Sequence, residues 1–295
     1  MLSMHIAIHG KTFTQDTKPL IEKLWADIGA KMAHIVLSES FKSHLMSHGF
    51  EINNVSSYLD AGGIPAGTDM ALSIGGDGTL LETLTHIGAS EIPILGINTG
   101  RLGFLATLSP PDISPALEQI IAGNYHIENR CLVSVHTDVD LFEGKEFGLN
   151  EVGIMKTDTS SMIQIKAFVD GNYLNTYWAD GVIVSTATGS TGYSLSVGGP
   201  LVMPSSDIFI IAPMSPHNLN VRPLVVSSSS KLRFEVSSRS QNFLVSIDSR
   251  SKAVDSKLAI TVEKAAFVAK IVKIPGDDFL QTLRNKLNWG LDVRN

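Results

Sequence analysis

The spacing of apolar residues changes period part-way along the chain. That change restricts the available folds more than any single motif. The first 125 residues alternate short apolar runs with helical spacing. Residues 4–9 (MHIAIH), 33–37, 70–74 and 92–97 read as strands, and residues 19–29, 41–48, 80–88 and 113–122 as helices. In the first helix Leu20, Ile21, Leu24, Trp25 and Ile28 fall on one side. Strands alternating with helices call for parallel strands joined by crossover helices. From about residue 125 to 274 the period shortens to two. KLRFEV (231–236) puts Leu232, Phe234 and Val236 on one face and Lys231, Arg233 and Glu235 on the other. CLVSVHT, MIQIKAFV, FLVSID, LAITVE and AFVAKIVKI follow suit, the pattern of an antiparallel sandwich or stacked sheets. The expected fold is thus an α/β domain at 1–124 and a β-rich, sandwich-like domain at 125–275. A closing helix over 277–289 packs back on one of the two. Its Leu280, Leu283 and Leu287 share a face, and Arg284 and Lys286 near its end suit the helix dipole.

Composition narrows the partners. A chain of 295 residues builds a sizeable core without disulfides. A net charge of −6 argues against a nucleic-acid scaffold, which carries a basic face. The single cysteine, Cys131, excludes a disulfide framework and a multi-cysteine zinc site, and it reads as a buried small hydrophobe. No apolar run approaches the roughly 18 residues of a spanning helix. MLSMHIAIHG reads as a first strand rather than a signal peptide. A cytoplasmic protein without nucleic-acid or membrane partners is expected.

Four segments carry chemistry. Gly75-Gly76-Asp77-Gly78-Thr79 lies between an apolar strand and a helix. Its glycines let the backbone turn sharply and approach a ligand, and amides at the helix start face an anion such as phosphate. Thr79 as N-cap with Glu82 three residues on makes a capping box. The cap leaves Gly75, Gly76, Asp77 and Gly78 unexplained. Asp77 would repel phosphate, so its place there fits accepting a proton or positioning a hydroxyl beside the phosphate. The segment is no Walker A loop: Gly10-Lys11-Thr12 has that ending, but His5 stands where its first glycine belongs. Gly96, Gly100 and Gly103 lack the spacing of the dinucleotide fingerprint. The second segment follows Asp180-Gly181. Ten of the twelve residues from Ser185 to Ser196 are Ser, Thr, Gly or Ala, and Tyr193 could flank a ring. The alternative is a surface loop of turn formers. The third is Asn150-Glu151, able to read an adenine edge or ribose hydroxyls, though a solvated turn is the commoner setting for such a pair. The fourth is Ile211–Leu219 (IAPMSPHNL), where two prolines fix a loop after a strand; His217 could touch a ligand or cap a backbone group, and the chemistry alone reads as structural. His44 and His48 share a helix face but lack the glutamate of a zinc-protease motif, and are expected in solvent.

Together and in order, GGDGT (75–79), GINTGRLGFL (96–105), NE (150–151), DGVIVSTATGSTGYSLSVGGP (180–200) and PHNLNVRPL (216–224) resemble the NAD kinase family. NKLNW (285–289) looks familial too. GGDGT is shared with lipid kinases and phosphofructokinases; the 180–200 segment is the specific one. The resemblance implies an α/β and a β-rich domain with the nucleotide between them. It also implies transfer of the terminal phosphoryl of ATP to the 2′-hydroxyl of the adenosine ribose of NAD. It makes Asp77 the proton acceptor with Gly78 beside it, and Gly75, Gly76, Gly78 and Thr79 the phosphate loop. Asn150 and Glu151 hold the adenosine end and Asp180 the nicotinamide side. Thr188, Thr191, Gly192, Tyr193, Ser194, Leu195 and Ser196 line the nucleotide. A divalent cation, magnesium, and a homo-oligomer, dimer or tetramer, are implied as well. Ala187 and Gly192 depart from a common proline and alanine, Trp178 lies where family members differ with NAD-versus-NADH preference, and Arg250 stands where an amide side chain often contacts nucleotide. Two other readings are a diacylglycerol-type lipid kinase and a non-catalytic NAD-binding sensor.

Overall fold

The computed structural model describes residues 4–31, 34–52, 54–60, 63–100, 102–157 and 161–289. Position 33 of the expected second strand and Arg101 of GINTGRLGFL lie outside them. Two compact units emerge: residues 1–128 with 269–295, and residues 129–268.

The first unit holds a seven-stranded sheet. Its order is Ser56–Tyr58, His34–Ser38, His5–Gly10, Met70–Gly75, Ile94–Asn98, Ala269–Lys273 and His126–Arg130. Pairings from Ser56–Tyr58 through Ala269–Lys273 are parallel. Met70–Gly75 and Ile94–Asn98 are buried at every residue, as strands covered on both faces must be. Helices Lys18–Lys31, Glu39–Ser47, Asp77–Ile87 and Ile113–Ile121 supply the crossovers. Ile21, Leu24 and Ile28 join Ile6, Ile8, Leu72 and Leu117 in one core.

Strand order also places a binding crevice. From His5–Gly10 the chain moves outward through His34–Ser38 to Ser56–Tyr58. It then returns to the other side of the first strand with Met70–Gly75. Connections leaving these two neighbours run in opposite directions. Ligands of open α/β sheets bind at the carboxyl ends of strands at such a point, which is where Gly75 to Gly78 stand.

Three expectations are corrected here. The run 269–273 was grouped with the second domain but forms an interior strand of the first unit, with Ile271 opposite Ile94. Consecutive Ile271, Val272 and Lys273 are all buried, so this stretch breaks the one-sided alternation of its neighbours. The closing helix, Phe279–Leu287, buries Thr282 and Leu283, whereas Leu280 and Leu287 remain 45% and 36% exposed. It belongs to the first unit, held by an Asp278 cap, a Lys286 ammonium donating to the Leu102 carbonyl and Phe279 against Phe104. His44 and His48 are half-buried around the Phe13 ring, and the Phe13 N–H donates to His44 Nε2.

The second unit comprises two six-stranded sheets. One runs Asn172–Ala179, Ile163–Val169, Leu232–Ser237, Ile260–Lys264, Val133–His136 and Phe147–Gly148. The other runs Leu224–Ser227, Ile208–Met214, Gly181–Thr186, Glu151–Lys156, Asn242–Ile247 and Arg250–Asp255. Both are antiparallel. Ile165, Phe234 and Val262 of one share a core with Ile154, Val184, Phe209 and Val245 of the other, so the sheets stack as a sandwich. Cys131 packs partly against this core, and burial raises its thiol pKa.

Candidate active site

The Met70–Gly75 strand turns directly into the Asp77–Ile87 helix. Gly76, in extended backbone, is the N-cap without a side-chain cap bond. Its carbonyl accepts from the N–H groups of Thr79 and Leu80 at 3.0 and 3.2 Å. Thr79 therefore lies within the first turn and is not the expected cap. Its side chain covers Gly75, where an added Cβ would meet Thr79 Oγ1 at 2.2 Å. Glycines at 75 and 76 let the helix begin ahead of the threonine. Gly76 and Gly78 are exposed, and first-turn amides have no intrahelical acceptor, so this helix end presents donors outward.

Asp77 does not point freely into solvent. Its Oδ2 accepts from Phe104 N–H at 2.8 Å, and its Oδ1 accepts from Leu105 and Ala106 N–H at 3.0 Å each. The carboxylate thus fixes the GFLA turn of the GINTGRLGFL stretch. Gly103 permits this approach, because a Cβ there would fall 2.0 Å from Asp77 Oδ1. A carboxylate offers about four lone-pair sites, and three are engaged. The fourth, on Oδ2, remains for a ligand hydroxyl.

An analogous clamp orders the second unit. Asp248 accepts N–H bonds from Leu149, Asn150 and Glu151 at 2.9, 2.8 and 3.1 Å. Asn150-Glu151 is therefore a braced turn rather than a solvated one. The hydroxyl-rich loop closes on it: Thr186 N–H and Ser185 Oγ donate to the Asn150 carbonyl, and Thr186 Oγ1 donates to the Leu149 carbonyl. Gly189 sits so close that a Cβ would meet the Asn150 carbonyl oxygen at 2.1 Å. Glu151 Oε2 is buried without a hydrogen-bond partner, against Gly192.

Geometry sorts the expected residues. Asn150, Glu151, Thr188, Thr191, Gly192 and Tyr193 come together at one end of the Gly181–Thr186 strand. Thr191 and Gly192 are half-buried, Tyr193 is 43% exposed, and Leu195 and Ser196 are accessible. Thr188 and Ser194 are buried: Thr188 Oγ1 accepts from Arg130, and Ser194 Oγ lies against Gly199. Asp180 stands at the other end of that strand, roughly 20 Å away at the usual rise per residue, paired with Lys156 at 2.6 Å.

The chain matches the models of the ATP-NAD kinase N-terminal domain over residues 22–125 and the ATP-NAD kinase C-terminal domain over residues 149–274. It is 44% identical over 292 residues to an NAD kinase of Cytophaga hutchinsonii, covering 99% of this chain and 100% of the relative. The chain belongs to the NAD kinase family. An NAD kinase of Flavobacterium psychrophilum is 41% identical over 294 residues, covering 99% of this chain and 100% of that one. Among solved structures, an NAD kinase from Archaeoglobus fulgidus in complex with ATP is 27% identical. It superposes with a TM-score of 0.74, covering 97% and 99% of the two chains. Yeast NADH kinase complexed with NADH, 22% identical, shares the fold at a TM-score of 0.85, with 99% and 90% covered.

In this NAD kinase family member Arg250 does not offer the contact made by an amide side chain. Its guanidinium donates to the Lys145 and Phe147 carbonyls and lies over the Phe142 and Phe147 rings. Asp248 and Gly103 are working positions that reading the sequence did not single out. Gly103 was within the quoted GINTGRLGFL stretch, whereas nothing local to Asp248 shows that it bonds a turn a hundred residues away.

Burial and the neighbouring Asp248 push the Glu151 carboxyl up to about 8, partly offset by the Tyr193 N–H. Burial raises Asp248 as well. Folded-state values above the unfolded ones mean that the folded protein holds the extra proton. The stability that Glu151 contributes is then fully present below about pH 4.5 and is lost as pH rises through about 8. The expected loss is on the order of a few kcal/mol. Urea midpoints of the ligand-free protein measured across this range should fall with pH, and Glu151→Gln should remove most of the slope. An unchanged slope in the variant would assign the effect elsewhere.

Proposed function

We propose that the protein transfers the terminal phosphoryl of ATP to the 2′-hydroxyl of the adenosine ribose of NAD, giving NADP. The observation that carries this reading is Asp77: a carboxylate on the GGDGT turn, at the sheet's switch point, with one acceptor site left on Oδ2. Phosphoryl transfer asks for positioning and charge stabilisation more than covalent chemistry. Asp77 orients the 2′-hydroxyl early and takes its proton late. Gly78 lies beside it, and the first-turn amides of the Gly75–Thr79 segment face donor phosphate. Asn150 and Glu151 hold the adenosine end, their backbone fixed by Asp248. Thr191, Gly192, Tyr193, Leu195 and Ser196 line the nucleotide directly, while Thr188 and Ser194 shape the loop from within. Asp180, a strand length away, serves the nicotinamide side of an extended dinucleotide.

Magnesium is the cation this chemistry uses, shielding the donor phosphates. A hard cation wants several oxygen ligands, and Asp77 keeps one acceptor site beyond its three backbone amides, the one assigned to the 2′-hydroxyl. Among the described residues the one group of three or more His, Cys, Asp or Glu that could hold an ion is two-thirds histidine, a poor cage for magnesium. The described residues do not fit a dedicated magnesium site, so no step is assigned to one. Among the described residues no helix is long and apolar enough to cross a membrane. A reducing cytoplasm suits the lone cysteine, and homo-oligomerisation follows the family resemblance.

The test is product formation. Incubated with NAD and ATP, the protein should generate NADP, detected by a dehydrogenase that accepts only NADP. Polyphosphate in place of ATP reports donor range, and diacylglycerol in place of NAD tests the lipid kinase reading. Tight NAD binding with no NADP from either donor would favour a sensor and end the kinase reading.

A further inference from the structure

A second cluster of chemistry lies in the first unit. His9 is on the His5–Gly10 strand, opposite Ser73 of the strand that leads into the GGDGT turn. Glu82 and His86 are four residues apart on the Asp77–Ile87 helix and so share a face. One ligand atom from each residue lies within 4.8 Å of the others. We propose that His9, Glu82 and His86 bind a transition-metal dication, zinc being the representative ion, which ties the Asp77 helix to the first strand.

The His9 ring supplies the firmest support. It is 3% exposed, and its Nε2 has no hydrogen-bond partner. Its Nδ1 lies 2.8 Å from Ser38 Oγ, which already accepts from the Phe41 N–H. In the tautomer with its proton on Nδ1, His9 donates to Ser38 and Nε2 turns a bare lone pair into the cluster. Metal-bound histidines are commonly oriented in this way through their second nitrogen. His86 is 6% exposed, with Nδ1 3.2 Å from Tyr58 Oη, a second such support. Glu82 Oε2 is 3.6 Å from His9 Nε2, close to the ~3.3 Å edge of a tetrahedron with ~2.0–2.1 Å bonds. Glu82 supplies the carboxylate oxygen of the set. Its side chain is 50% exposed, which leaves water access for a fourth ligand.

Two imidazoles and a carboxylate suit zinc, cobalt or nickel and not magnesium. The rival arrangement is a bare His9–Glu82 ion pair, which at 3.6 Å makes no hydrogen bond; cobalt binding separates the two.

The test uses the full chain, stripped with a chelator and titrated with Co2+. One equivalent should bind, with the intense visible absorption of a four-coordinate site, and a large excess of Mg2+ should not displace it. Zinc should displace cobalt and raise the melting temperature of the stripped protein. Glu82→Gln and His86→Gln should each weaken cobalt binding by roughly 100-fold. Should His86→Gln fail to fold, Glu82→Gln at its half-exposed position decides. No stoichiometric cobalt, a weak six-coordinate spectrum, displacement by Mg2+, or unaltered affinity in folded Glu82→Gln would each overturn the proposal.

Discussion

Asp77→Asn is expected to lower turnover by roughly 10²–10⁴-fold, the usual scale for loss of a general base. The structure adds a complication that the measurement must separate. Asp77 also accepts three backbone N–H bonds from 104–106, and an amide there turns two donors toward other donors. A pure clamp effect would raise KM for both substrates and lower the melting temperature in proportion. Loss of the acceptor for the ribose hydroxyl lowers kcat with the NAD dissociation constant little changed. Equilibrium dialysis with NAD, a melting curve and the kcat–KM split together distinguish the two. Near-normal kcat in a folded variant would remove Asp77 from proton transfer.

Asp248→Ala is expected to be the most destabilising single change in the second unit. It strips the acceptor from the N–H groups of Leu149, Asn150 and Glu151. Each buried donor left unsatisfied costs about 1–3 kcal/mol, so the total is about 3 kcal/mol or more. A drop of roughly 6–12 °C in melting temperature follows for a unit of this size. NAD affinity should fall with it, since the Asn150-Glu151 turn loses its brace while Tyr193 and Ser196 are untouched. Calorimetry and NAD titration of the same preparation check both. Full stability with weakened NAD binding would recast Asp248 as a direct ligand contact.

Periodicity carried most of the architecture. The helix-then-strand alternation before residue 125 and the period of two after it mark a parallel sheet and a sandwich, because burial on one face or two leaves a direct trace in residue order. The trace fades where burial is set by distant partners. Residues 269–273 resemble their antiparallel neighbours until Ile271 and Val272 fall side by side, and what separates them is the slot beside Ile94–Asn98 that they fill. Thr79 and Glu82 have the spacing of a capping box, yet two glycines moved the helix start ahead of it. The Gly75–Gly78 turn stood out because its glycines have no other local use. Asp248 did not, because a carboxylate that bonds three amides far along the chain looks, in sequence, like any turn residue. The His9–Glu82–His86 group was invisible for the same reason: two members share a helix face, but the third arrives through sheet order.

The interior strand Ala269–Lys273 has a consequence for synthesis. Every residue of the sandwich is translated between the first unit's early strands and this late one. At roughly 5–20 residues per second, the ribosome spends about 7–30 s on that stretch. Until it finishes, the nascent sheet has a gap between Ile94–Asn98 and His126–Arg130. The turn bearing Asp77 is thus made early but set in a finished sheet last, so a chain truncated before residue 269 lacks the strand that completes the sheet under it.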